Sequence, residues 1–278
     1  MGAADFWRRF RRHTSGMVGL VALVTVVLLA LTAPVLFPGD PFRQVDRPFS
    51  PPFGNHILGT DVLGRDVAAG VAHGARTSLV IACLATGVAV LVGTAVGSVA
   101  GYHGGWLDDA LMRVTEFFQT IPTFLFAIVL LAILSPTVTT IIVAIALVTW
   151  PPVARLARGE VLALRAREFV QAGLALGMTD RRVLIRHVLP NCLSPIIVTA
   201  SLTVATAILI ESALSFLGLG DPNTMTWGLM IGAGRTFLRT AWWLCTIPGL
   251  AILVTVLAIN LAGEGLNDTL NPRLRGRS

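Results

Sequence analysis

The 278-residue chain contains no lysine: all 21 of its basic residues are arginine. A phosphate-binding loop of the GxxxxGK[ST] type needs a Lys to reach the β- and γ-phosphates, so this chain cannot supply one. Schiff-base chemistry on Lys is excluded for the same reason. An arginine-only basic set is also what a GC-rich genome produces. Charge of either sign is scarce, at 13% of residues, where a soluble domain carries about 25%. The three cysteines, Cys83, Cys192 and Cys245, are odd in number and fit neither a metal-site spacing nor a disulfide framework. The five histidines, His13, His56, His73, His103 and His187, are scattered and form no metal-binding pair. No metal site and no catalytic cluster is expected.

What the chain has instead is apolar length. It is 54% hydrophobic, its mean hydropathy is +0.77, and the apolar residues fall in long runs, which identifies a polytopic membrane protein. Six runs predict all-α spans at 17–36, 78–101, 117–134, 138–150, 193–217 and 243–261. The fourth is short and can extend to Val153; Ser135-Pro136-Thr137 reads as a tight turn before it. The first run follows Arg8, Arg9, Arg11 and Arg12, is too long for a signal-peptide core and lacks a clear cleavage site, so it reads as an uncleaved anchor. Arginine asymmetry gives the direction. With the N-terminus inside, the inner segments hold the four N-terminal arginines, Arg113, seven from Arg155 to Arg186, and Arg273, Arg275 and Arg277. The outer loops hold only Arg43, Arg47, Arg65, Arg76, Arg235 and Arg239, offset by nearby aspartates. Both termini are therefore expected in the cytoplasm. The chain divides into an anchor span with an outer loop (1–76) and a five-helix core (77–278).

Between the fourth and fifth spans the sequence turns polar, over about 155–190. Ala, Leu, Arg, Glu and Gln dominate from Val161 to Leu176 and favour helix. Gly177 is placed to end that helix, Thr179 or Asp180 to cap a second one toward Val188, and Pro190 to break it before the next span. Phe169, Val170, Leu174 and Leu176 offer apolar contact, and Ala172 and Gly173 allow another backbone to approach. Such an elbow suits a protein partner or an anionic lipid surface equally on physical grounds.

Glu211, within Ile208-Leu209-Ile210-Glu211-Ser212-Ala213, is a carboxylate inside a span, with Ser212 and Ser215 beside it. At that depth it must face a cavity or a partner; lining a pathway, contacting a partner chain and lying near the outer interface all remain open. Gly93, Gly97 and Gly101 form small-xxx-small steps for close helix packing, within the chain or against another. The loop from Phe37 to Ala75 is long, and rich in Pro and Gly. Within it Gly59, Asp61, Gly64, Arg65 and Asp66 suggest Asp-capped turns. It is either a surface that meets another protein or a cap on the chain's own spans.

The stretch Glu168-Phe169-Val170-Gln171-Ala172-Gly173-Leu174-Ala175-Leu176-Gly177, followed by Ile185-Arg186-His187-Val188-Leu189-Pro190-Asn191, resembles the EAA loop of ABC-importer permeases. The family's Glu-Ala-Ala stands here as Gln171-Ala172-Gly173, with Gly177 retained. The stretch from His56 to Leu79, the segment Leu214-Ser215-Phe216-Leu217-Gly218-Leu219-Gly220 with Trp227-Gly228, and the ending from Asn260 to Arg273 are similar to the dipeptide/oligopeptide/nickel permeases, and to the second ("C") permease of the pair. The resemblance implies a type I ABC-importer permease fold in the bacterial cytoplasmic membrane. It implies import of di- or oligopeptides, with nickel or another small solute as the alternative within the family. The implied partners are a second homologous permease, two ATP-binding subunits that carry the ATP and Mg2+, an extracytoplasmic substrate-binding protein and membrane lipid, with no nucleic acid. It assigns ATPase coupling to Glu168, Phe169, Val170, Gln171, Ala172, Gly173, Leu176 and Gly177. The rival class is a stand-alone secondary transporter, which predicts midplane carboxylates and inverted repeats. Only Glu211 qualifies as such a carboxylate, and no internal repeat is evident.

Overall fold

The computed structural model describes residues 3–270; the tail arginines and the last residues of the C-terminal motif lie outside the described residues. The described chain is helical, and its only β pairing is two isolated bridges, Gln44 with Arg65 and Thr60 with Asp66. A short helix α1 (Ala3–Phe10) leads into α2 (Thr14–Leu36), capped by His13, whose ring nitrogen accepts from the Gly16 N–H. A non-helical cap then precedes α3 (Val67–His103). Next come α4 (Gly105–Thr120), α5 (Thr123–Ile133) and α6 (Val138–Arg165). The elbow carries α7 (Glu168–Ala175) and α8 (Asp180–Val183) and leads through a π turn (Leu184–Val188) into α9 (Leu189–Phe216). The chain ends with α10 (Trp227–Gly234) and α11 (Trp243–Leu270).

Five helices are long and apolar enough to cross a membrane: α2, α3, α6, the continuous run Asp180–Phe216, and α11. The third predicted span differs. It is two helices, α4 and α5, bent by 82° at a short break. Ile121 precedes Pro122 and is extended (φ −89°, ψ 130°), because the proline ring crowds the helical conformation of the residue before it.

Elsewhere proline does not break the helices: Pro34, Pro151, Pro152, Pro195 and Pro248 all lie inside them. α6 does not stop near Trp150 but passes through Pro151 and Pro152 to Arg165, taking in the start of the polar stretch. Each interior proline costs about 3 kcal/mol, which tertiary packing must offset. It does so along a seam with α3. A Cβ placed on Gly93, Gly97 or Gly101 would run into the carbonyls of Trp150, Ala154 and Arg158. The small-residue stripe is therefore spent inside this chain, with backbone against backbone. Pro190 likewise sits in the first turn of α9, where the π turn ahead of it has already shifted the bonding register; the Leu189 N–H bonds to the Leu184 carbonyl. The elbow and the fifth span are thus one continuous run.

α3, at 37 residues, is about 55 Å long and outreaches the roughly 30 Å hydrocarbon core. The cap joins its first turn and the elbow meets its last, so one helix links the two ends of the bundle. The core beside it is built from small and β-branched residues, such as Ala82, Ala85, Ile81, Ile145 and Ile208. On the outward faces Val18, Leu31, Val35 and Leu91 stay exposed, as lipid-facing residues do.

Replacing Gly97 with Leu should drive the side chain into the Ala154 backbone and cost roughly 1–3 kcal/mol or abolish assembly. Gly87, one face away, has nothing within 4 Å of a built Cβ, so Gly87→Leu should leave the chain unaffected. Thermal unfolding of the two variants in detergent checks the pair: equal midpoints would remove the seam.

Candidate functional site

Three groups of sequence-singled residues gather at three places. The first is the elbow. α7 turns Val170 (fully buried) and Gly173 inward, with Leu174 half-buried. Val170 packs with Val183, Val188, Ala157, Val161, Cys192 and Tyr102, so the elbow rests on α3, α6 and α9. The opposite face presents Glu168, Phe169, Gln171, Ala172 and Leu176, the last 84% exposed. The polar stretch does not hold one helix to Leu176, as its composition suggests: α6 ends at Arg165 and α7 begins at Glu168.

Gly177 closes α7 as expected. Its φ is +80°, its N–H reaches the Leu174 carbonyl at 2.9 Å, and the Met178 N–H reaches the Gly173 carbonyl at 3.1 Å. These two bonds are a Schellman motif, which requires the left-handed conformation that glycine adopts at least cost. Thr179 stands at the N-cap of α8 but makes no side-chain cap bond.

The two departures from the family pattern acquire local reasons. The Gln171 amide donates to the Arg165 carbonyl at 3.1 Å, tying α7 to the end of α6. An ionised Glu has no proton to give there. A Cβ on Gly173 would lie 3.3 Å from the Met178 sulfur, inside the elbow. Its smallness serves the Schellman turn, not an approaching partner.

The second place is Glu211. It is completely buried, and its carboxylate meets only this chain's own groups: Ser215 Oγ donates at 2.8 Å, Ser78 Oγ at 3.3 Å and Ser212 Oγ at 3.5 Å. Nearby, Thr226 caps α10 by accepting from the Leu229 N–H. The Trp227 N–H, in the first turn of α10, donates to Ser78 Oγ at 3.4 Å. A carboxylate at a helix N-terminus is favoured by the helix dipole, and among the described residues no cation pairs with it. Glu211 fastens α3, α9 and α10 together. In this conformation it has no surface facing lipid, a pathway or another chain. Sequence reading missed α10 altogether, because eight residues without charge carry no amphipathic pattern.

The third place is the outer loop. Gly59 and Gly64 both have positive φ, +77° and +74°. One Asp61 oxygen accepts from the Leu63 and Arg65 N–H groups, each at 2.8 Å. Asp66 caps α3 through the Ala68 N–H at 2.7 Å and lies 3.3 Å from His56. The Arg65 guanidinium lies 4.8 Å over the Phe42 ring. Buried Thr60 ties the loop to itself through the Arg47 carbonyl and the Ser50 N–H, and the Trp243 indole N–H donates to its carbonyl. The Arg47 N–H holds the Asp46 carboxyl below its usual range. All five predicted loop residues thus build a cap on α3 and α11; Phe53 and Ile57, 88% and 71% exposed, stand at its surface.

Sequence reading also missed two long-range polar contacts near the elbow. Asp108 lies on α4 and holds Arg158 of α6 bidentately at 2.5 and 2.6 Å. Tyr102 of α3 donates to Asp180 at 2.9 Å. Partners 50 and 78 residues apart leave no local signal. Glu116 and Arg113, spaced as an i, i+3 pair, form no ion pair among the described residues.

Glu211→Leu should leave the surrounding hydroxyls without their acceptor and lower stability by about 3 kcal/mol. Glu211→Gln, which keeps shape and one carbonyl oxygen, should lose less. Thermal midpoints of the purified variants test this; a neutral Leu variant would deny the fastening role.

Comparison with known proteins agrees with this architecture. The family model described as "Binding-protein-dependent transport system inner membrane component" matches residues 93–276, and that of the "N-terminal TM domain of oligopeptide transport permease C" matches residues 3–52. The di/tripeptide transport system permease protein DppC of Pseudomonas aeruginosa is 38% identical over 98% of this chain and 92% of its own. The dipeptide permease DppC of Bacillus subtilis is 39% identical over 98% of this chain and 86% of its own. The oligopeptide permease OppC of the same organism is 37% identical over 98% of this chain and 90% of its own. A chain of the MetNI methionine ABC transporter, solved in inward-facing conformations, shares the fold with a TM-score of 0.60 at 16% identity, covering 72% of this chain and 96% of that one. The chain belongs to the family of binding-protein-dependent transport system inner membrane components, as a multi-pass ABC-importer permease of the DppC/OppC type.

Proposed function

We propose that this chain is one of two permeases in an ATP-driven importer of di- or oligopeptides, and that the exposed face of α7 docks on an ATP-binding subunit. The observation that carries the reading is an ordered elbow whose apolar Phe169 and Leu176 point away from the bundle while Val170 anchors it from behind. The absence of any lysine supports it, since energy from ATP then has to come from a partner that holds ATP and Mg2+. The elbow lies on the cytoplasmic side, where most arginines fall, and both termini share that side. The cap lies outside and receives peptide from a substrate-binding protein. The peptide assignment rests on relatives named for di-, tri- and oligopeptides at 37–39% identity.

Nucleotide-driven closure of the ATP-binding pair moves α7. Because the Schellman turn and the Gln171 bond fix α7 to its neighbours, the push reaches α6 and the long run Asp180–Phe216. The spans then alternate between two openings.

Proteoliposomes with the full set of subunits and binding protein should accumulate labelled dipeptide only with ATP. Uptake by this chain alone would sink the proposal. Leu176→Asp should release the ATP-binding subunits on co-purification while the chain itself stays folded. Gly177→Val, which places a β-branched residue at φ +80°, costs roughly 1–2 kcal/mol in the elbow; uptake should fall relative to ATP hydrolysis, and unchanged uptake would count against a rigid lever.

A further inference from the structure

Tyr102, the one tyrosine of the chain, sits in the last turn of α3 and is 4% exposed. Three elements converge on it. Its hydroxyl donates to the carboxylate of Asp180, the first residue of α8, at 2.9 Å. Its ring lies 5.6 Å from the guanidinium of Arg165, the last residue of α6. Its other side packs in the apolar cluster that holds Val170 of α7 and Val183 of α8. Directly behind it α3 ends at Gly104, whose φ is +68°. The elbow's other polar tie, Gln171 to the Arg165 carbonyl, leads to α6. The Tyr102–Asp180 bond is the polar tie that leads to α3, the helix that reaches the cap and carries Ser78 of the Glu211 cluster.

We propose that Tyr102 is a positioning residue for coupling: through Asp180 it delivers movement of the elbow to α3, and so to the cap end of the bundle. The proposal rests on α7 being the docking element for an ATP-binding subunit. The bond suits this role because it is directional and charge-assisted, about twice as strong as a neutral one. It joins two rigid helices that have no covalent link nearer than 78 residues. The apolar cluster around it can slide; a hydrogen bond of fixed length cannot follow without moving its partner.

The test uses the complete complex in proteoliposomes, with peptide uptake and ATP hydrolysis measured together. Tyr102→Phe removes only the hydroxyl and keeps the ring beside Arg165. The peptide delivered per ATP should fall roughly three- to tenfold, the range that loss of one link in a coupled network produces. Asp180→Ala should give the same loss, the double variant no further loss, and Asp180→Asn, which still accepts, should retain most coupling. A 3-fluorotyrosine-labelled complex supplies a readout that a purely structural role would not move. The 19F resonance missing from the Tyr102→Phe complex should differ between nucleotide-free and nucleotide-trapped states. Normal uptake per ATP in both single variants, or a resonance indifferent to nucleotide, overturns the proposal. Leu176→Asp is run in parallel. If that variant keeps its ATP-binding subunits and its uptake, the docking reading itself fails; if it loses them while Tyr102→Phe transports normally, only the role of Tyr102 fails.

Discussion

α3 and α6 meet with almost no side chain between them, and the rest of the molecule is arranged around that contact. At Gly93, Gly97 and Gly101 the facing surface is the α6 backbone at Trp150, Ala154 and Arg158. In a membrane, where lipid is as apolar as any leucine, helices gain little from burying hydrocarbon and much from close packing. The seam therefore holds the pair together. It also lets α6 continue through two prolines that an isolated helix would not survive. Without that continuation α6 would end inside the bilayer region and there would be no platform for the elbow.

A second tie, at the elbow end, joins α6 to α4. Arg158, whose backbone faces Gly101, sends its side chain to Asp108 on α4. One residue thus contributes to the seam and to a bidentate ion pair. At 36% exposure for the Arg, solvent screens that pair, and its main effect is geometric: two parallel N–H···O bonds set the angle of α4. At the other end Glu211 performs a comparable task with hydroxyls in place of a cation. A buried carboxylate costs more than the hydrogen bonds return unless all its lone pairs are occupied. Here three serine hydroxyls donate to it, and the first N–H of α10 reaches one of them, Ser78, in turn. The bundle is pinned where α10 re-enters and where the elbow leaves, and α3 connects the two pins.

How much of this was legible in the sequence varied with the range of the interaction. Apolar runs, the glycine stripe, the Asp66 cap and the Gly177 stop depend on neighbours within a few residues, and the structure has each of them. Pro190 does not break the helix as its local rule predicts, and the reason is physical. Its local rule states what a lone helix would do. Pro122 obeys: Ile121 before it is extended, and α4 and α5 part there. Pro151 and Pro152 disobey because the α3 seam holds them, and Pro190 because a π turn has already displaced the bonding register. None of those circumstances is written near the proline. Glu211 stands out in the sequence as a carboxylate inside a span, and Ser212 and Ser215 lie beside it, but Ser78 is 133 residues away and no spacing rule could name it.

The same distinction explains the altered EAA pattern. Read as a docking surface, Gln171 and Gly173 look like losses of charge and of bulk. In the structure both face duties inside the elbow: an amide donor for the last carbonyl of α6, and room for the Met178 sulfur beneath a Schellman turn. The outward face keeps its apolar residues, Phe169 and Leu176, and the acidic Glu168. A lever must be stiff before its contact surface matters, since a joint that yields absorbs the stroke. Buried and exposed positions alternate along α7, with Val170 and Gly173 turned inward and Glu168, Phe169 and Gln171 turned outward. The exposed Gln171 nonetheless stiffens the joint, through its bond to the Arg165 carbonyl.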